Sequence, residues 1–306
     1  MSDAFDAIVL LGFGGPCSPE EVRPFLDRIL VGRPVPPARY EAVVNNYREI
    51  GGSSPYNART ESQAVALRNA LHARGIATPV LISYRNTAPF NRDTIDELIT
   101  AGAKRVLGVP LTVFSGEESN ERYIRDFDHA LAEAGPDAPT VAYLEPFFED
   151  PAFVRAHAES IREALALLGF ESFDDVRVIF TAHSIPTATP GTYAADFELS
   201  SRLVAEELGL PDWGTAYQSR SGSPQTPWFG PDVRDEVRAL PEAGVNAALL
   251  VAIGFLCDHV EVLYDLDIDA GGIGYEVGVR TIRAETMNDR PAFIAMLADH
   301  IAKALR

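Results

Sequence analysis

Cysteine is scarce in this chain. Cys17 and Cys257 are its two thiols, too few for a disulfide framework, a Cys/His structural zinc site or the four thiolates of an iron–sulfur cluster. Basic residues are short as well: 26 Lys and Arg stand against 44 Asp and Glu, a net charge of −18. A balance of that sign argues against nucleic acid, whose phosphates need a basic footprint, and against electrostatic docking on anionic lipid. No apolar run reaches the ~20 residues of a membrane helix. No basic region precedes the apolar stretch of MSDAFDAIVLLGFGG, which reads as a strand and not as a signal peptide. The expectation is a cytoplasmic protein with no nucleic acid partner and no integral membrane segment.

Hydrophobic residues form 46% and charged residues 23% of the 306 positions, enough core for one large α/β unit or about two domains. Residues 6–11 read as a buried strand leading into Gly12-Phe13-Gly14-Gly15-Pro16. That turn fits neither G-x-G-x-x-G nor a Walker A loop, so a dinucleotide or P-loop reading is rejected. Ser18-Pro19-Glu20-Glu21 supplies a helix start, with a capping serine, proline at N1 and glutamate at N3. Helices are expected over 40–50, 60–74, 92–101, around Tyr123, over 151–168 and over 290–305. Strands are expected over 79–84, 103–111, 140–145, 176–182 and 247–255. This alternation predicts mainly parallel sheets covered on both faces. The second half repeats the plan: 176–182 leads into His183-Ser184-Ile185-Pro186, and 247–272 parallels 105–128. The fold class expected is α/β in two similar halves, 1–150 and 151–306, with the last helix, about 290–305, packing across.

Asp258, Glu261, Asp265 and Asp269 follow the last apolar run at spacings of three and four. At ~100° per residue they share one narrow face of a single helix. Like charges so placed cost ~0.2–0.5 kcal/mol per pair, and acids just before a Gly271-Gly272 stop oppose the helix dipole. A ladder with no Lys or Arg in it makes sense where a cation spends time; a solvated acidic face is the alternative. Ligands of such sheets sit beyond the carboxyl ends of the strands. Phe13, His183, the 115–123 loop and the acidic helix all begin there, which favours the cation.

His183 alone among the six histidines follows a strand directly. His72, His129, His157 and His300 fall within expected helices, and His259 lies off the acidic face, turned toward protein. A histidine facing several carboxylates is a hard, mixed site suited to a labile Fe(II)-like ion. The 21–60 segment holds six arginines (23, 28, 33, 39, 48 and 59) against four acids. These either pair with neighbouring acids or form a landing zone for a carboxylate-bearing ligand. Residues 218–224 run into an aromatic patch, 226–232, which either walls a cleft for a flat ligand or packs under its own prolines.

The motifs NYREIGGSSP, TAHSIP, QSRSG…PWFGPDV and GF…DHVEVLYDLD together resemble the ferrochelatases over essentially the whole chain. The resemblance implies two Rossmann-like halves with a cleft between them, the chelatase-like fold, and insertion of ferrous iron into a porphyrin. It implies His183 and Glu261 as the catalytic iron-site pair, His183 accepting protons as a neutral imidazole. Asp265 and Asp269 would continue a carboxylate path for the metal. Phe13, Asn46, Tyr47, Ser54 and Tyr123 fall where the family contacts the macrocycle or its propionates.

The opening LLGFGGPCSPEEVRPFL and GRPVP look most like coproporphyrin III ferrochelatases of actinobacterial type, and no hydrophobic insertion follows the first helix. Four propionates suit the arginine-rich segment. Four positions depart from relatives. Phe13 stands where some members carry an iron-ligating tyrosine, Leu30 and Asn46 where some carry arginines, and Asn120 where a cluster cysteine is expected. Fe(II) is therefore expected as substrate, with no permanently bound cofactor and no iron–sulfur cluster. The expected assembly is a monomer in transient contact with the next haem-pathway enzyme. Protoporphyrin IX or another tetrapyrrole is the alternative substrate. A non-catalytic porphyrin or haem carrier is the alternative of another class, against which the joint presence of His183 and Glu261 speaks.

Overall fold

The computed structural model describes residues 5–32, 35–221 and 225–305. Arg33 and Gly222-Ser223-Pro224, named above, lie outside the described residues. The first half runs β1 (Ala7–Gly12), α1 (Pro19–Ile29), α2 (Pro37–Glu49), α3 (Tyr56–His72), β2 (Val80–Tyr84), α4 (Asn91–Thr100), β3 (Arg105–Pro110), α5 (Asn120–Ala134) and β4 (Thr140–Tyr143). The second runs α6 (Pro151–Leu168), β5 (Arg177–His183), α7 (Tyr193–Leu208), β6 (Trp213–Gln218), α8 (Val233–Ala239) and β7 (Ala247–Val251). It closes with α9 (Val260–Val262), a π-helical segment (Leu263–Ala270), α10 (Gly271–Val277), β8 (Arg280–Ala284) and α11 (Pro291–Ala304).

Each half holds a four-stranded parallel sheet, ordered β2-β1-β3-β4 in one and β6-β5-β7-β8 in the other. The strand order is the same in both, so one topology occurs twice. Period-2 alternation sorts the side chains. Ile8 and Leu10 of β1, Val178 and Phe180 of β5, and Leu249 and Val251 of β7 enter one shared core. That core also takes Leu67 of α3, Ile161 of α6, Phe197 of α7 and Leu297 of α11. The opposite faces pack separately, Val9 and Leu11 against Ile95 and Phe127, Ile179 and Leu250 against Val237 and Leu266. The expected division at 150/151 falls at the cap of α6, where Asp150 Oδ1 accepts from the Ala152 N–H at 2.7 Å. Helix α11 packs on α3 and α6, and Arg74 of the first half reaches Asp299 at 2.8 Å.

Several elements differ from the sequence reading. The apolar run 247–255 is strand only to Val251. Beyond it the Ile253 N–H turns back to Val251 C=O (2.8 Å) and the Gly254 N–H goes to Thr181 C=O (3.1 Å). These residues stay buried while leaving the sheet, so hydrophobicity reported burial and not strand. Ser18 occupies the N-cap of α1 without a capping side-chain bond; Glu21 Oε2 instead accepts from the Cys17 N–H at 2.8 Å. The acidic helix does not stop at Gly271-Gly272, because Gly271 adopts φ −61° and the helix continues through α10. Helix α7 and strands β6 and β8 have no counterpart among the expected elements. Both strands are sheet edges, only partly buried, and lack the strong apolar pattern of β5 and β7. Among the described residues, no helix is long and apolar enough to cross a membrane.

Candidate active site

His183 is the last residue of β5, and its carbonyl accepts from the Tyr193 hydroxyl at 2.9 Å. Its Nδ1 faces the Ser184 carbonyl, which can only accept, so Nδ1 carries a proton. Nε2 then points to Glu261 Oε1, 3.7 Å away, with 30% and 42% of the two side chains exposed. Burial lowers the basicity of His183, but the Glu261 carboxylate outweighs it and raises the imidazole to about 8. Burial likewise works to raise Glu261, and the imidazole beside it wins, holding the carboxyl below its ordinary value. The pair therefore favours a protonated His183 beside an ionised Glu261.

Glu261 is gripped by its backbone. Its N–H donates to His259 Nδ1 at 3.2 Å, and its carbonyl accepts from Gln218 Nε2 at 2.6 Å. His259 is the N-cap of the helix, its ring edge-on to Phe255 (4.7 Å) and Tyr56 (6.2 Å). Asp265 accepts from the Ser219 hydroxyl. Burial, with Glu261 and Asp269 adding to it, pushes Asp265 up to about 7 against the opposing pull of Ser219 and His183. Asp269 sits 3.4 Å from Arg234, itself anchored on Asp232 at 2.7 Å. The i→i+5 bonding of a π segment makes its turn wider than four residues, so positions four apart stay close in direction.

Asp258 does not belong to this track. It precedes the helix, 8% exposed, and binds Arg283 at 3.1 Å, Thr286 at 2.9 Å and Asn288 at 3.1 Å. The four-acid face is thus corrected to three. Among the described residues no three His, Cys, Asp or Glu side chains gather into a cage for an ion. His183 and Glu261 form a pair, and Asp265 and Asp269 are separate steps away from it, each with its own protein partner.

A cavity of about 240 Å³ opens beside these steps, lined by Arg39, Asn46, Gln218, Arg234, Asp265 and Asp269 among others. Arg39 also donates to the Arg220 carbonyl at 2.8 Å, from one half to the other. The other described arginines of the 21–60 segment are largely engaged within the protein. Arg23 pairs with Glu41 at 2.7 Å, Arg28 donates to the Asn86 carbonyl at 2.6 Å, and Arg59 lies 3.9 Å from Asp258.

Phe13 follows β1 directly. Its ring meets Phe25 edge-on at 6.3 Å and lies 5.6 Å from the Arg85 guanidinium, which is 5.0 Å from the Tyr123 ring. Arg85 is held by Asp126 at 2.7 Å. No spacing in the sequence marked Arg85, which sits on the loop after β2. Tyr47 and Tyr123 are buried, and burial raises both phenols; the charge on Glu261 adds to it, at Tyr123 as a smaller effect than the opposing pull of Arg85. Both phenols therefore stand in electrostatic reach of the His183–Glu261 pair. Ser54 is 7% exposed, accepts from the Tyr56 N–H at 3.3 Å, and packs so closely on Gly15 that an added Cβ there would lie 2.9 Å from its own. Asn46 reaches the cavity. The aromatic patch closes over the His183 turn: the Phe229 N–H donates to Ile185 C=O at 3.0 Å and the Ser184 hydroxyl to Phe229 C=O at 2.7 Å.

Solved structures with the same arrangement include one described as CbiX, the terminal enzyme for biosynthesis of siroheme in denitrifying bacteria. It has a TM-score of 0.59 and 15% identity, covering 98% of this chain and all of its own. SirB from Bacillus subtilis with Fe3+ also scores 0.59, at 14% identity, covering 98% of this chain and 95% of its own. At such identity they attest the fold alone. Sequence likeness goes further. The coproporphyrin III ferrochelatase of Mycolicibacterium smegmatis is 37% identical over 307 residues, covering 99% of this chain and 90% of that protein. The enzyme of that name from Mycobacterium avium is 39% identical over 302 residues, covering 97% and 87%. The family model described as Ferrochelatase matches from residue 5 to residue 305. A match of that span takes in both sheets and the cleft residues alike, and the chain belongs to the ferrochelatase family.

Proposed function

We propose that this chain inserts ferrous iron into coproporphyrin III, giving the iron coproporphyrin of haem synthesis. One observation carries the reading: His183 and Glu261 face each other at 3.7 Å from different elements, beyond the carboxyl ends of β5 and β7. Relatives at 37% and 39% identity that bear the name coproporphyrin III ferrochelatase support the choice of porphyrin.

Metallation removes two N–H protons from the macrocycle and strips water from the ion. Carboxylates replace water on Fe(II) without holding it too firmly. The Glu261 charge favours a proton on His183. Iron arriving at Glu261 competes for that charge, the imidazolium loses its support, and its proton passes to solvent water, to which the His183 side chain is partly open. Burial then favours the neutral ring, which is the form that accepts a pyrrole proton. The ion pair is thus a latch that opens when the metal comes. The reading carries no resident cofactor; the two cysteines of the sequence are too few to hold a cluster.

An anaerobic visible-absorption assay with Fe(II), run in parallel on coproporphyrin III and protoporphyrin IX, tests this. Faster loss of the free-base coproporphyrin bands, with metalloporphyrin appearing, is expected. Preference for protoporphyrin overturns the substrate. Spectral shifts without metallation of either porphyrin overturn the activity.

A further inference from the structure

We propose that Gln218 and Ser219, at the end of β6, form a bracket that positions Glu261 and Asp265 for metal insertion. The proposal rests on the iron-insertion reading and extends it to two residues of the cavity wall.

Gln218 is the register partner of His183 across β5 and β6, and its carbonyl accepts from the Ser184 N–H at 2.8 Å. Its side chain, 1% exposed, crosses to the helix and donates from Nε2 to the Glu261 carbonyl at 2.6 Å. The β5–β6 ladder sets where His183 stands relative to Gln218. The side-chain bond sets where Glu261 stands relative to Gln218. The gap between His183 and Glu261 follows from the two together.

Both bracket residues carry an unfavourable feature. Gln218 Oε1 is buried without a hydrogen-bond partner, and such acceptors are uncommon in folded proteins. Ser219 adopts φ +60°, a left-handed conformation that side chains with a Cβ rarely take. An apolar residue at 218 and a glycine at 219 would each remove its own penalty. Each residue, however, directs one bond at the same helix: the amide to Glu261 and the hydroxyl to Asp265. Strain of this kind concentrates where function over-determines the structure.

The location of the amide bond matters too. Glu261 lies in the short α turn just before the π segment begins at Leu263. There the helical spacing changes from i→i+4 to i→i+5. A donor from outside the helix, fixed to that carbonyl, pins where the change occurs and so which way the next acids face.

Two variants separate the parts. Ser219→Gly removes the hydroxyl while suiting the backbone, and Gln218→Met keeps length and burial while removing the donor. With Ser219→Gly, KM for Fe(II) should rise about tenfold for the loss of one bond to a charged group. KM for coproporphyrin and the thermal midpoint should hold. With Gln218→Met, kcat should fall by about ten- to a hundredfold, the scale of a ~1 Å misplacement. In both, amide hydrogen exchange over 260–270 should accelerate, a readout that needs no turnover. Wild-type kinetics and wild-type exchange in both variants overturn the bracket. So does a rise in KM for coproporphyrin equal to that for Fe(II). If Gln218→Met does not fold, Ser219→Gly decides alone. A wild-type protein that metallates nothing overturns the activity instead, and the exchange data then judge the bracket by themselves.

Discussion

Asp258 and Arg283 meet at 3.1 Å with only 8% and 10% of their side chains exposed. Around them Thr286 and Asn288 satisfy the remaining carboxylate positions, and the Asp258 N–H donates to Asn288 Oδ1 at 3.1 Å. Gln63, from α3, donates to the carbonyls of Leu256 (3.1 Å) and Asn288 (2.8 Å). The network therefore joins the two halves immediately before the helix that carries Glu261. It is the fixed end from which that helix starts.

Removing its anion should be severe. Asp258→Ala takes from buried Arg283 one of its two carboxylate partners, leaving Asp267, and removes the acceptor of the Thr286 hydroxyl. Breaking a buried pair in this way costs about 3–5 kcal/mol. Urea unfolding followed by circular dichroism measures it, and a loss below about 1 kcal/mol, the scale of an exposed pair, would contradict the role assigned here.

His183→Ala should leave the fold intact and reduce coproporphyrin metallation by about 10²–10⁴-fold, the usual worth of a positioned acid–base group. Near-normal turnover would refute the mechanism. Glu261→Gln tests the latch more directly. Without the carboxylate, burial meets only the Ser184 carbonyl and Asp265 in opposition, and the pKa of His183 should fall from about 8. Titration of the imidazole by NMR in the free protein reads that shift.

His183 was legible because a strand, a histidine and Pro186 follow one another, and Glu261 because acids recur every four residues. The same spacing hid the helix type, since a step of four fits an α turn and a π turn nearly equally. It also drew in Asp258, whose true partner, Arg283, lies on β8. β6 and β8 are only partly buried and hold no continuous apolar run, so hydrophobic patterning passes them by. Gln218 on β6 stood out in sequence only as the start of the 218–224 stretch, and its bond to the Glu261 carbonyl carried no signal there.

Asp265 makes stability fall with pH. Its folded value of about 7 stands above the ordinary 3.8, so the native state holds the proton more tightly than the unfolded chain. That contribution is fully present below about 3.8 and is lost as pH rises through about 7. His183, raised from 6.5 to about 8, contributes in the same sense, present below 6.5 and lost through 8. Asp265→Asn removes the first of these. The thermal midpoint of the variant relative to wild type should therefore be higher at about pH 8 than at about pH 5. An equal difference at both would show that Asp265 ionises normally. The same proton competes with a cation at this step, so KM for Fe(II) should fall as pH rises toward 7 and fall less in the variant.

Gly254 and Gly272 make opposite predictions from the same substitution. A Cβ at Gly254 would lie 2.8 Å from Ala182 Cβ, 3.0 Å from its Cα and 3.3 Å from Phe114 Cε2. None of these is the end of a flexible chain, and Ala182 directly precedes His183. Gly254→Ala must push the 252–256 turn off β5, at a cost of about 1–3 kcal/mol as for other overpacked sites. Because that turn leads into the helix bearing Glu261, the displacement should also widen the gap between His183 and Glu261. Turnover measured well below the melting temperature should fall while KM for coproporphyrin holds. A Cβ at Gly272, by contrast, meets nothing within 4 Å and sits inside α10. There alanine should stabilise the helix by about 0.5–1 kcal/mol with turnover unchanged. Equal effects of the two alanines on turnover would mean that the approach of Gly254 to β5 does not set the distance between His183 and Glu261.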